Sequence, residues 1–291
     1  MRILMFGRTG QVSASMIEAC ARRRGEIDLV ALPRAEADLT QPDALREAVY
    51  GYAPDLVVNA AAYTAVDAAE ADSETAFAVN AHAPGVIANA CATRETPLIH
   101  LSTDFVFDGA ASAPYAETDA TNPLGVYGAT KLAGEEAVRA SGVAAVVLRT
   151  AWVFSPFGRN FVKTMLRLAD ERDAVRVVDD QTGAPTPASA IAEAILAVAP
   201  VLFSERAAVA GVYHFCGDAP TTWAGLAQET FAAGALSTQV EAITTADYPT
   251  PARRPAWSVL DCAKIGATFD VEPADWRAAL KRDVVRLQMA A

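Results

Sequence analysis

Tyr127 and Lys131 stand four residues apart in the stretch GVYGATKLAGEEAV, residues 125–138. On a helix that spacing puts both side chains on one face, a single turn apart. An ammonium held near a phenol favours the phenolate and lowers the phenol's pKa. Tyr127 would then be a usable general acid or base near neutral pH. Taken alone, the pair reads better as a solvated face of an Ala-rich helix, so the rest of the chain has to decide.

A second chemical signal is GRTGQVS, residues 7–13, between the first apolar run and the first amphipathic one. There Gly7 and Gly10 let a backbone turn and approach a pyrophosphate, which a helix N-terminus then binds. Ser13 replaces the third glycine of the usual pattern and is small enough for close helix–strand packing. Gly7, Arg8, Thr9, Gly10, Gln11 and Val12 are the cofactor-binding candidates of this loop. At the end of the second strand, where an acid usually receives the ribose of NAD, the sequence offers Pro33 and Arg34, with Asp38 and Leu39 only later. Arg8 and Arg34 near a 2′-phosphate favour NADPH, with NADH the other choice; the alternative is two solvated surface arginines.

The run STDFVF, residues 102–107, places hydroxyl and acidic groups at a strand's carboxyl end, where open α/β sheets bind ligands. Thr103 could hydrogen-bond a substrate oxygen and Asp104 could orient sugar hydroxyls, or both could merely cap the following turn. His82, His100 and His214 have no metal-ligand spacing, and His100, inside an apolar strand, reads as a satisfied core histidine. No serine lies in a nucleophile-elbow pattern. Acidic stretches such as AAEADSE (68–74) read as solvated surface.

The elements that must position these groups alternate. Strand-like runs at 2–6, 28–32, 55–62, 97–107 and 144–154 are separated by helical patterns at 11–24, at 43–52 and from Val66 to about Ala92 with an interruption at Pro84. Thr40 is the expected N-cap of the second helix and Pro42 suits its first turn. Near-continuous apolar strands separated by helices mark a doubly wound α/β fold, a parallel sheet covered on both faces. Past residue 155 the rhythm loosens into further helical and strand-like pieces, GVYHFCG (211–217) returns to the sheet, and PTPARRPAWSVLD (249–261) is too proline-rich for a regular element. The expected division is a dinucleotide-binding part at 1–154, with its sheet continued around 175–217, and a smaller substrate-binding lobe at 155–291, interleaved with that sheet.

The 291 residues, 52% hydrophobic and 20% charged, are those of a globular chain able to bury a large core. A net charge of −11 leaves no basic face for a nucleic-acid backbone. Four scattered cysteines without C-x-x-C read as buried thiols in a reducing compartment. The chain opens directly on a strand, and no apolar run approaches the ~18–20 residues of a membrane helix. A cytoplasmic protein is expected.

Taken in order, GxxGQ, NAAAYTAVDAAE, STDFVFDG, NPLGVYGATKLAGE, LRTAWVF, NFVKTMLRLA, DDQTGAPT and PTPARRPAWSVLD closely resemble the dTDP-4-dehydrorhamnose reductases, an extended branch of the short-chain dehydrogenase/reductase superfamily. The likeness covers nearly the whole chain. The Tyr/Lys pair marks only the superfamily; the segments reaching into the C-terminal part are more specific. The resemblance implies NAD(P)H-dependent reduction of the 4-keto group of a dTDP-4-dehydro-6-deoxy-L-mannose to dTDP-L-rhamnose. It implies Tyr127 as proton donor, Lys131 as its partner and holder of the nicotinamide ribose, and Thr103 at the usual serine position. Asp104, Trp152, Asn160 and Arg254 become substrate contacts, Arg254 the candidate for a diphosphate oxygen. Ala60, Ala62, Tyr63 and Thr64 become the wall under the cofactor. Some family members bridge a dimer through Mg²⁺ held by carboxylates, but here the corresponding stretches carry Ser15 and Ser189 and no acid. No metal is expected, and a homodimer through other surfaces stays open. Two alternatives remain: a reductase or epimerase of another 4-keto-deoxysugar nucleotide, and a non-catalytic NADP-binding regulatory subunit. Thr103, Tyr127 and Lys131, all present, weigh against the last.

Overall fold

The computed structural model describes residues 1–23 and 25–290. Alternating apolar and amphipathic runs build strands and covering helices in turn: β1 (Arg2–Phe6), α1 (Gln11–Arg22), β2 (Asp28–Leu32), α2 (Pro42–Tyr52) and β3 (Leu56–Asn59). Then come the short α3 (Val66–Ala69) and α4 (Ser73–Phe77), a π turn at Ala78–His82, α5 (Ala83–Thr93), β4 (Leu98–Thr103), α6 (Val126–Ala140) and β5 (Ala145–Thr150). With the strand Gly211–His214 these form one parallel six-stranded sheet, ordered from that strand through β5, β4, β3 and β1 to β2. Every residue of β3 and β5 is buried, as strands covered on both faces must be. Leu45 and Val49 of α2, Ile87 and Cys91 of α5 and Val138 of α6 fill one face. Met16 and Ala19 of α1 fill the other, with Ile191, Ile195 and Leu202 of a long helix, α8 (Ala188–Glu205), which follows α7 (Phe161–Ala169). The strand order reverses between β1 and β3, and the crevice above that switch point is where such sheets hold ligands.

The rest is α9 (Trp223–Ala233), α10 (Ala263–Phe269), α11 (Trp276–Ala290) and three two-stranded pairings, the longest between Ala174–Val178 and Gln239–Ile243. Segment 249–261 has no regular element and is pinned by isolated bridges, Leu260 to Tyr115 and Trp257 to Thr182.

Several expectations need correcting. Gln41, not Thr40, is the N-cap of α2; the Thr40 hydroxyl donates to Asp38 instead. The long helical region is not broken at Pro84, which fits the first turn of α5; it breaks between Ala69 and Ser73 and continues through the π turn. The run at 97–107 leaves the sheet after Thr103, and the one at 144–154 breaks at Trp152, whose φ of +45° is left-handed. Helix α8 is long and apolar enough to cross a membrane by length and composition, contrary to the expectation of no such run, yet nine of its side chains are buried in this fold. All four cysteines are free and buried, and two that the sequence left unrelated, Cys216 and Cys262, bring their sulfurs within 3.6 Å.

Candidate active site

The glycine loop leaves β1 at Gly7, whose φ of +101° favours glycine. A Cβ there would sit 3.1 Å from Ser13 Oγ and 3.3 Å from Ala61. Gly10 is the N-cap of α1 and brings no side chain to it, so the first N–H groups of the helix are left for an anion. Ser13 Oγ is buried without a hydrogen-bond partner among the described residues. The remaining loop residues divide. Arg8 and Thr9 are exposed, Val12 is buried in the core, and Gln11 reaches across to the later part of the chain. Its amide donates to Val153 O and accepts from Ser155 Oγ and from Asn160 Nδ2 at 2.8 Å.

Arg34 and Asp38 meet as an i,i+4 ion pair at 2.9 Å, with the arginine side chain 80% exposed. The carboxyl of Asp38 is held below its usual range first by the Thr40 N–H and then by Arg34. Leu39 is buried in the core. Ala60, Ala62, Tyr63 and Thr64 line the chain as it leaves β3, where Ala60 N donates to Phe6 O.

Sequence reasoning missed the residue that fixes this stretch. Asn80, in the π turn, accepts from Tyr63 N and donates to Tyr63 O and to Thr130 Oγ1 of α6. A polar residue inside the apolar run FAVNAH was the available signal. It missed the acidic segment as well: AAEADSE is not merely solvated. Glu70 accepts from Val126 N at 2.8 Å and so caps α6, while Asp72 accepts from the Tyr63 hydroxyl. Just ahead, Asp67 forks onto Arg254 at 3.1 and 2.7 Å.

Helix α6 carries Tyr127 and Lys131 on one face, laid against the end of β4. Tyr127 meets Phe105 edge-on, with ring centroids 5.6 Å apart. Burial pushes its phenol up to about 12; a hydrogen bond with Thr103 pulls it down, and the Asp104 charge adds to the rise. The net shift is upward, against the lowering expected from Lys131, because burial outweighs it. The Lys131 ammonium is engaged elsewhere, donating to Leu101 O at 2.6 Å, and burial lowers its own pKa to about 8. A phenol is protonated near neutrality with or without this rise, so Tyr127 is in the donor's state but is the weaker acid for its burial.

The Thr103 hydroxyl donates to Asp104 Oδ1 and accepts from Phe105 N. Asp104 is 2% exposed, its Oδ2 has no partner among the described residues, and burial raises its pKa to about 6 against hydrogen bonds from Ser258 and Thr103. His100 is buried as expected, but only half satisfied: Nδ1 meets Asn59 while Nε2 has no partner among the described residues.

Of the candidate substrate contacts, Thr103, Asp104 and Tyr127 come together. Trp152 stacks on Trp223, with centroids 3.5 Å apart. Asn160 does not present a free amide: its Oδ1 caps α7 through Lys163 N and its Nδ2 is taken by Gln11 and Ser155 O. It thereby ties the glycine loop to the later part of the chain.

A family model described as "RmlD substrate binding domain" matches residues 1–289. The chain is 45% identical to the dTDP-4-dehydrorhamnose reductase of Burkholderia thailandensis, over 96% of this chain and 97% of that one. It is 42% identical to the Sinorhizobium fredii protein of the same name, over 97% and 96%. The crystal structure of dTDP-4-dehydrorhamnose reductase from Bacillus anthracis in complex with NADP superposes with a TM-score of 0.91 at 28% identity, over 98% of this chain and 99% of that one. The chain belongs to the RmlD substrate-binding-domain family, that of the dTDP-4-dehydrorhamnose reductases.

Proposed function

We propose that this protein uses NADPH to reduce the 4-keto group of dTDP-4-dehydro-L-rhamnose, giving dTDP-L-rhamnose, with Tyr127 as the proton donor. The observation that carries this reading is the placement of Tyr127 and Lys131 on one face of α6, laid against the carboxyl end of β4 where Thr103 and Asp104 stand. The residues fit the cofactor. A Cβ-free cradle at Gly7, an uncapped α1 N-terminus at Gly10 and the unpartnered hydroxyl of Ser13 together suit a pyrophosphate. Arg8, exposed, and Arg34, whose guanidinium stays largely open beyond its Asp38 contact, suit the 2′-phosphate that separates NADPH from NADH.

NADPH, when bound, supplies the hydride that reduces C4. As charge develops on the C4 oxygen, Tyr127 gives it the phenolic proton and Thr103 supports it with a hydrogen bond. Lys131, anchored on Leu101 O, places a positive charge behind the tyrosine and offsets the phenolate left by proton loss. Asp104 orients the sugar hydroxyls, Trp152 walls the sugar, and Arg254, aimed by Asp67, takes a diphosphate oxygen. Asn160 serves through Gln11 rather than by direct contact. Residues 1–154 form the cofactor-binding part, with the sheet continued around 175–217, and 155–291 the substrate lobe, in a cytoplasmic enzyme that acts alone or as a homodimer.

The Tyr127→Phe variant tests this. General acid donation contributes ~10²–10⁴-fold, so turnover should fall by that order while NADPH affinity holds. Thr103 keeps Asp104 and Phe105 as partners, so the fold should be undisturbed. Wild-type turnover in the variant would refute the assignment.

A further inference from the structure

The stripe that carries Tyr127 and Lys131 has a third member one turn on, Glu135, which no step above uses. Its residue exposure is 0% and the side chain of its partner Arg149 is 4% exposed. Arg149 forks onto Glu135 with Nε–Oε1 at 2.9 Å and Nη2–Oε2 at 2.7 Å, and the Ser102 hydroxyl donates to Oε1. Taking two charges out of water costs nearly as much as their attraction returns, so such a pair is a weak stabiliser, and its presence asks for another reason.

The register supplies one. Two successive residues of β4 meet the stripe: Leu101 O accepts from Lys131 and Ser102 donates to Glu135, while the next, Thr103, turns its hydroxyl to Asp104. Across the sheet Ser102 stands opposite Arg149 and Arg149 opposite His214. The guanidinium reaches His214 Nε2 and lies over the Phe107 ring. Helix α6 is thus bolted to three consecutive strand ends through a single carboxylate.

We infer that Glu135 is a positioning residue for the reaction: it sets the register of α6 on β4 and holds its carboxylate one helical turn from Lys131, behind Tyr127. The inference rests on the reading that Tyr127 and Lys131 are the reacting pair. Lys131 faces Glu135 and Tyr127 on its own helix and His100 on β4; beyond Glu135 stand Arg149 on β5 and His214 on the next strand. The other elements packed on α6 bring Asn80 from the π turn, the backbone at Gly85 from α5, Asp104 after β4, and Glu70 at the helix N-terminus. Glu135 is the one that acts to hold the ammonium against its burial.

The test follows Lys131 directly. Lys131, Lys163, Lys264 and Lys281 are the lysines of the chain, so a ¹³C-lysine NMR titration, assigned with Lys131→Arg, resolves its midpoint without substrate. In the wild type it should titrate near 8. In Glu135→Gln the midpoint should fall by about one pH unit, the scale of two charges a helical turn apart. The alkaline limb of kcat/KM should move with it. Because Arg149 would then be left buried without a counter-charge, the Glu135→Met/Arg149→Met double variant is the companion. It restores neutrality and packing, yet the midpoint should still fall, since Glu135, the charge that acts on Lys131, has gone. A folded variant of either kind with an unmoved Lys131 midpoint would overturn the inference and leave the ion pair a structural fastener. A moved midpoint in a protein that reduces no keto sugar would sink the proposed reaction and leave the Glu135–Lys131 coupling standing.

Discussion

Replacing Asp104 by asparagine should make the protein more stable, and increasingly so as pH rises. Asp104 is 2% exposed and one carboxyl oxygen has no partner among the described residues, so ionising it in the fold is costly. That cost raises its pKa from 3.8 to about 6. At 1.36 kcal/mol per unit, the shift corresponds to about 3 kcal/mol once the group is ionised in both folded and unfolded chains. Between the two values the folded protein binds more protons than the unfolded one. The wild type therefore has its full stability below about pH 4 and loses it as pH rises through 6. Asparagine never ionises and so escapes the loss. In urea unfolding run in parallel, the variant's advantage should grow from about 1 kcal/mol near pH 4.5 to about 3 kcal/mol near pH 7.5. The same variant should bind the sugar nucleotide less well, because the polar group fitted to the hydroxyls has changed. An advantage that stays flat between those two pH values would refute the reasoning.

Two further variants probe how α6 is placed. A Cβ at Gly128 would lie 2.1 Å from Phe105 O and 2.9 Å from the Pro123 side chain. Gly128→Ala must therefore displace the helix beside Tyr127, costing about 1–3 kcal/mol in calorimetry and on the order of 10²-fold in kcat; native turnover would contradict the packing. Glu70→Ala removes the acceptor of Val126 N–H and a negative charge at the helix N-terminus, which should cost about 1 kcal/mol of stability in denaturant titration while NADPH affinity holds. Equal stability would mean that Glu70 is only surface charge.

How far the sequence speaks depends on the range of the interaction. The parallel sheet was legible because Val57, Val58, Val146, Val147 and their like are buried on both faces and so form unbroken apolar runs. The Tyr127–Lys131 stripe was legible because helix period is local. What was hidden depends on residues far apart in the chain. Nothing around residue 67 announces that Asp67 clamps Arg254, and nothing around Glu135 announces Arg149 or Ser102. The helix break after Ala69 was misplaced at Pro84 because proline in a first turn is compatible with helix, and the π turn beside it keeps Asn80 aimed at Tyr63. The source of the Tyr127 shift was also misread, since spacing predicts proximity to Lys131 but not the competing carbonyl of Leu101.

The most direct test of the account is NADPH oxidation by the purified protein supplied with dTDP-4-dehydro-L-rhamnose, with the product identified by mass and sugar configuration. One NADPH consumed per dTDP-L-rhamnose formed, at a rate that falls in Tyr127→Phe, is the expected result. A wild-type protein that binds NADPH but oxidises none of it in the presence of the keto sugar would contradict the central claim.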